Sequence, residues 1–264
     1  MNLLELLAYV EAIAPPALAE DWDNSGIQIN CGNKEIKTVL ICLDLTMEVL
    51  EEAKAIGAEL IISHHPLIFE PMKSIDSRNP NQLKIQKLIQ SGISVYSAHM
   101  TYDKSPVGNT VMLAQRLGLS GIPLERETNG ADGDFSALTA KLNPPMTLDA
   151  ICRLVSERLE TLGDEIGLVR GSDKSVAKIG LCAGSGGELL QDFIAEGCTA
   201  LITGDIKYHI ALVAKEAGVS IIDAGHFATE KHFAGDFAKR LSELAGSAID
   251  IHISNRNINP FSKP

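Results

Sequence analysis

An α/β fold of two similar repeats, each of the three-layer α/β/α type, is what this sequence predicts, and three observations predict it. Helical periodicity alternates with short apolar runs, as in βαβ units around a mostly parallel sheet. The second half then repeats the first. Cys42 aligns with Cys182, Gly57 with Gly197, and Leu60-Ile61-Ile62-Ser63-His64-His65 with Ala200-Leu201-Ile202-Thr203-Gly204-Asp205, without a gap. Finally, histidines and acids collect where predicted strands run out into loops, the edge at which an open α/β sheet carries its chemistry. The two repeats, drawn at residues 1–125 and 126–264, are expected to face each other across a site.

Taken in order, residues 2–13 have helical periodicity and stop before Pro15-Pro16. Val39 to Leu43 is a strand-like apolar run, and Met47 to Ile56 a helix closed by Gly57. Glu59 to Ile62 is a buried strand leading into Ser63-His64-His65-Pro66, and Pro66, which has no ladder donor, helps to end it. Leu83 to Gln90 is a helix capped near Gly92, and Ile93 to Tyr96 a strand leading to His99. Gly92 to Ala98 is echoed by Gly218 to Ala224. After one inserted residue, Gly225, His99 meets His226 and Asp103 meets Glu230. Between the halves, residues 120–136, with Asn129-Gly130-Ala131-Asp132-Gly133-Asp134, carry loop and turn composition. Asn143-Pro144-Pro145 is expected to break the chain before a helix from Leu148 to Leu159. Ala248 to Ile253 alternates like a strand; which half it joins stays open, a return to the first being one arrangement.

Composition narrows the function. With 264 residues, 45% of them hydrophobic and 22% charged, the chain can bury a substantial core. Its formal charge of −11, without a Lys/Arg run, repels phosphate backbones and speaks against general nucleic-acid binding. The five cysteines lack C-x-x-C spacing, and Cys42 and Cys182 sit in apolar runs, the usage of a reducing, cytoplasmic protein. Met1 to Leu7 lacks a basic flank and carries Glu5, so an amphipathic first helix is expected rather than a signal peptide. No apolar stretch is long enough to span a membrane.

Histidine and carboxylate without cysteine suit an open metal site of catalytic type. His64 and His65, consecutive in extended chain, point to opposite sides and can reach two different ions. Asp103 and Glu230 offer hard oxygens, and a carboxylate can bridge two cations about 3.5–4 Å apart. With Glu230 bridging, His64 and Asp103 complete one ion's set and His65 and His226 the other's. A further protein ligand would crowd out water, so His99 is expected near the ions in an acid/base role. Asp205, Lys207 and His209, at the equivalent strand end of the second repeat, are supporting or acid/base candidates, with His209 the first choice. His232 and His252 are expected to be ordinary surface or core residues. The Trp22 segment is read as a turn with a buried aromatic anchor, Asp21 and Asp23 serving as turn and cap residues. Gly184-Ser185-Gly186-Gly187 could cradle phosphate at a helix N-terminus, though a tight turn explains it as well.

Several markers in order resemble the NIF-three-like dinuclear-metal family, whose members are often called GTP cyclohydrolase 1 type 2 homologues. They are Glu20-Asp21-Trp22-Asp23-Asn24-Ser25-Gly26, Ser63-His64-His65-Pro66, Ser97-Ala98-His99 with Asp103, Thr203-Gly204-Asp205 leading to His209, and His226 with Glu230. The resemblance covers nearly the whole length and implies metal ligands at His64, His65, Asp103, His226 and Glu230, together with a ring-shaped homo-hexamer. This chain departs from many members after His99, where Met100-Thr101-Tyr102 replaces a Thr-Asn pair. The function expected is metal-dependent hydrolysis of a small-molecule, nucleotide-like substrate, with two divalent ions per chain (Zn, Fe, Mn, Co or Ni). The alternative is a non-catalytic metal-handling or partner-binding protein.

Overall fold

The computed structural model describes residues 1–32, 35–124, 134–161 and 166–261. They form two compact units, one of residues 1–102 and 232–264, the other of residues 103–231. The chain therefore passes between units after Tyr102 and again after Lys231, not at the expected 125/126 boundary. Residues 103–125 belong to the second unit, and the C-terminal segment from His232 returns to the first.

In the first unit, helix α1 (Leu3–Ile13) opens with Asn2 and Glu5 bonded reciprocally to each other's backbone N–H, and it buries the Leu3, Leu6, Leu7, Val10 and Ile13 stripe. Strands β1 (Gly26–Ile29), β2 (Thr38–Cys42), β3 (Leu60–Ser63), β4 (Ser94–Ser97) and β11 (Asp250–Ile253) form a five-stranded sheet among the described residues, in the order β1-β4-β3-β2-β11. Only the β1–β4 pair is antiparallel. Helix α2 (Met47–Ala55) is capped by the Thr46 side chain. Helix α3 (Pro80–Ser91) begins before the expected Leu83, because Asn79 caps it and Pro80 is pre-set for the first helical position.

Strand alternation then makes the layers. Leu40, Cys42, Ile61 and Val95 pack with Val49, Leu50, Ile85 and Leu88 from α2 and α3. Their neighbours Val39, Ile41, Leu60 and Ile62, also fully buried, point the other way. On β2 and β11 lies helix α10 (Phe233–Ala245), which also packs against α1. Tyr102, Phe233 and Phe237 form an aromatic cluster with ring centroids 5.1–5.5 Å apart, Tyr102 meeting Phe233 edge to face. Phe237→Ala is expected to destabilise the protein by about 3–5 kcal/mol, read by denaturant unfolding.

The second unit has a six-stranded sheet among the described residues. Its strands are β5 (Gly121–Pro123), β6 (Leu138–Met146), β7 (Gly167–Val169), β8 (Val176–Ser185), β9 (Ala200–Gly204) and β10 (Ser220–Asp223), in the order β5-β6-β8-β9-β10-β7. β8, β9 and β10 run parallel, like β2, β3 and β4 in the first sheet. One face carries α5 (Asn109–Arg116) and α6 (Leu148–Arg158), the other α7 (Leu190–Ala195) and α8 (Tyr208–Glu216).

Matched hydrogen bonds follow the aligned positions. Ser94 N–H donates to Glu59 O (2.9 Å) as Ser220 N–H does to Thr199 O (3.0 Å). Ala98 N–H donates to Ser63 O (2.9 Å) as Ala224 N–H does to Thr203 O (2.8 Å).

Two expectations are corrected here. Gly121 to Pro123, read as loop, is strand β5. Asn143-Pro144-Pro145 does not end β6, which carries through both prolines with its register to β8 shifted between Lys141 and Met146. The expected turn over 129–133 lies outside the described residues.

Candidate metal centre

In the first unit the strand ends deliver three histidines to one place. His64 and His65 follow β3 directly, and His99 follows β4 by two residues. Ser63 Oγ donates to the His65 carbonyl (2.9 Å) and lies 2.9 Å from Ser97 Oγ, so the buried serine pair fixes the backbone between the rings. One ring nitrogen from each of His64, His65 and His99 lies within 4.8 Å of the others, a grouping suited to hold a metal ion. His64 is fully buried and packs on Phe233, ring centroids 4.9 Å apart.

Each ring also has an outer partner. His64 Nδ1–H donates to Ala98 O (2.8 Å), His65 Nδ1–H to Asp44 Oδ1 (2.8 Å), and His99 Nδ1–H to Asp23 Oδ1 (2.7 Å). Carbonyl and carboxylate oxygens only accept, so each Nδ1 carries a proton and Nε2 is the nitrogen left to take a metal ion. That is the state a metal requires of a histidine.

Asp23 is built into this frame more deeply than a turn residue. Its side chain is fully covered and also accepts from Ser25 Oγ and the Met100 N–H. Burial pushes its carboxyl upward, but the hydrogen bonds from His99 and Ser25, with the charge of His99, outweigh this and hold it below the usual carboxylate range. Asn24 Nδ2 meanwhile donates to Ile68 O (2.6 Å), tying this segment to the one that follows His65. Trp22 is 59% exposed, so it is no buried anchor.

The second unit repeats the arrangement with a carboxylate in place of a histidine. α9 (His226–Glu230) puts His226 and Glu230 one turn apart on the same face. His226 Nδ1–H donates to Asp205 Oδ2 (2.8 Å), leaving Nε2 3.0 Å from Glu230 Oε2. A ring lone pair and a carboxylate oxygen that close repel each other unless a proton or a metal ion stands between them. Glu230 is 3% exposed, which makes a compensating cation more valuable still.

The backbone around Glu230 is shaped to admit it. Gly184 has φ +65°, and a Cβ there would lie 2.3 Å from Glu230 Oε1 and 3.2 Å from His226 Nε2. The Gly184 N–H donates to Thr229 Oγ1 (3.0 Å). The Gly184–Gly187 run thus includes a turn at Gly184 that makes room for a carboxylate. At Gly204 a Cβ would meet His226 N at 2.5 Å, and the next residue, Asp205, adopts a left-handed φ of 54° to reach the imidazole. Asp103 closes α4 (Met100–Asp103) and accepts from Asn109 Nδ2 at 2.9 Å.

His209 is not drawn in. It lies exposed on the first turn of α8 and makes no hydrogen bond or ion pair among the described residues, while Lys207 reaches Glu188 at 3.5 Å. Asp44 and Gly184 were missed as site residues, and Asp23 was read as a turn residue. Asp44 had a signal: it is an acid two residues beyond β2, in the same position as the other strand-end groups. Asp44→Ala and Asp205→Ala are each expected to weaken metal binding about 10–100-fold by freeing an imidazole to rotate, measured by chelator competition.

Comparison with known proteins places the chain. Residues 1–260 match the family Duf34/NIF3 (NGG1p interacting factor 3). The chain is 31% identical over 262 residues to a GTP cyclohydrolase 1 type 2 homolog of Clostridium perfringens, covering 99% of both. It is 33% identical over 236 residues to a GTP cyclohydrolase 1 type 2 of Helicobacter pylori, covering 87% of both. The crystal structure of a Staphylococcus aureus hypothetical protein superposes with a TM-score of 0.88 at 27% identity, covering 100% of this chain and 99% of that one. No described helix is long and apolar enough to cross a membrane. Strand-end histidines with fixed outer partners, two α/β sheets and full-length similarity agree: the chain belongs to the Duf34/NIF3 family.

Proposed function

We propose that His64, His65, Asp103, His226 and Glu230 hold two divalent ions and that the protein is a metal-dependent hydrolase acting on a nucleotide-like substrate. The observation that carries this is the uniform use of Nδ1. All four strand-end histidines give that nitrogen to a fixed oxygen, which leaves Nε2 of His64, His65 and His226 to serve as ligand and that of His99 to carry a proton. The chain crosses between units beside two of the ligands, since Asp103 follows Tyr102 and Glu230 precedes Lys231.

The donor set of imidazole and carboxylate fits Zn, Fe, Mn, Co or Ni. Bound there, two such ions supply Lewis acidity and a water acidic enough to attack near neutral pH. The chain's own residues do the rest. Asp44 and Asp205 hold the His65 and His226 rings in place. His99, whose Nδ1 is pinned by Asp23, offers Nε2 to move a proton. The relatives' names point to hydrolytic ring opening of a purine nucleotide such as GTP.

We further propose a cytoplasmic homo-oligomer, a hexamer by family resemblance. Exposed Tyr208, Leu212 and Val213 on α8 offer an apolar face for assembly. Turnover is tested by incubating metal-loaded protein with GTP and other nucleotides and following product by chromatography. Saturable turnover lost on Glu230→Gln is expected. Metal binding without turnover of any nucleotide would instead favour a metal-handling role.

A further inference from the structure

We propose that Trp22 and Phe69 form a stacking platform for the planar ring of the substrate, and that the cleft beyond Phe69 takes the rest of the molecule. This rests on the nucleotide-hydrolase reading above and names where that site holds its substrate.

Single exposed apolar residues are ordinary, but these two are paired and placed. Trp22 is 59% exposed and Phe69 54%. Their ring centroids lie 6.3 Å apart with the planes tilted by 58°, so a planar ring stacked on one meets the other at its edge, and both stand nearly perpendicular to the His99 imidazole, at 6.2 and 6.3 Å. His99 in turn lies against His64 and His65. An open aromatic corner therefore adjoins the metal-ligating histidines.

The corner is held from behind. The residue after Trp22 is Asp23, pinned to His99, and the residue before Phe69 is Ile68, whose carbonyl accepts from Asn24 and whose N–H donates to Gln28 Oε1 at 3.1 Å. Neither ring rests on a loose loop, so a ligand laid on them meets a surface already in place.

Phe69 and His65 also line a cleft of about 820 Å³. That is a volume suited to a nucleotide-sized ligand. Its polar wall includes Lys73, Asn81, Gln82 and Lys84. Lys73 and Lys84 are matched in this wall by Asp44 and Glu70, so it holds the rest of the ligand by hydrogen bonds, from the Asn79, Asn81 and Gln82 amides among others, rather than by net positive charge. Every nucleobase has a π-face, so the platform selects for a planar heterocycle ahead of any one base.

Trp22 is the only tryptophan in the chain, so its fluorescence reports on this corner alone. The test titrates metal-loaded protein with GTP, guanosine and ribose 5-phosphate, with metal content measured on the same samples. Saturable quenching by GTP and guanosine but not by ribose 5-phosphate is expected. Phe69→Ala should weaken guanosine binding by about tenfold or more at unchanged metal content. Trp22→Ala, read by calorimetry, should do the same, and Trp22→Phe should largely restore binding. Full metal content with no binding of GTP or guanosine, or with guanosine affinity unmoved by Phe69→Ala and Trp22→Ala, would overturn the platform and leave the metal site standing. Wild-type protein that takes up no metal would overturn both.

Discussion

Gly184→Ala is expected to strip metal from the protein while leaving it folded. The new Cβ would stand 2.3 Å from Glu230 Oε1, which must then move, and a tight 3.2 Å from His226 Nε2. The carboxylate has little room to retreat, being 4% exposed and next to Thr229, whose hydroxyl is bonded to Gly184 itself. Alanine at φ +65° adds about 1–2 kcal/mol of backbone strain. Metal affinity is expected to fall by at least about 100-fold, since a ligand is moved and not merely loosened. The melting temperature should drop by only a few degrees, about 2–4 °C per kcal/mol for a chain of this size. Chelator competition and thermal melts measure the two effects separately. Wild-type metal affinity in a folded Gly184→Ala protein would show that Glu230 and His226 are not ligands.

Glu230→Gln should have the largest effect on turnover. Glutamine keeps the volume and the place on α9 but removes the charge facing His226 Nε2. A neutral amide is a poor bridge between cations, so kcat/KM is expected to fall by about 10³-fold, near 4 kcal/mol of transition-state stabilisation. Circular dichroism should show a native fold, which separates this loss from unfolding. A variant turning over at the wild-type rate would remove Glu230 from the mechanism.

Much of this was legible in the sequence, and what was not has physical reasons. Buried parallel strands are short, nearly continuous apolar runs, so β3, β4, β9 and β10 stood out, and with them the histidines at their ends. β6 was hidden because two adjacent prolines read as a stop, whereas the sheet absorbs them in a register shift. The unit boundary carries no compositional mark, since the crossing after Tyr102 falls within α4. The return of α10 and β11 to the first sheet is a tertiary choice that periodicity does not encode.

In the site, the same division holds. Histidine and acid types reveal candidate ligands, but their outer partners are set by folding. Asp23 and His99 are 76 residues apart, and Asp44 and His65 are 21 apart. Gly184 reads locally as a turn, and its purpose is apparent only once Glu230 is seen against it. Trp22 looked like a core residue because tryptophan usually is one, yet it is the neighbouring Asp23 side chain that is covered in its place.

The most direct test is the metal content of protein purified without chelator, beside the His65→Ala/Glu230→Ala variant, with both checked for native circular dichroism. About two divalent ions per chain in the wild type, largely lost in the folded variant, is the predicted result. No metal in the wild type, or equal metal in both proteins, would contradict the dinuclear centre and the hydrolytic function built on it.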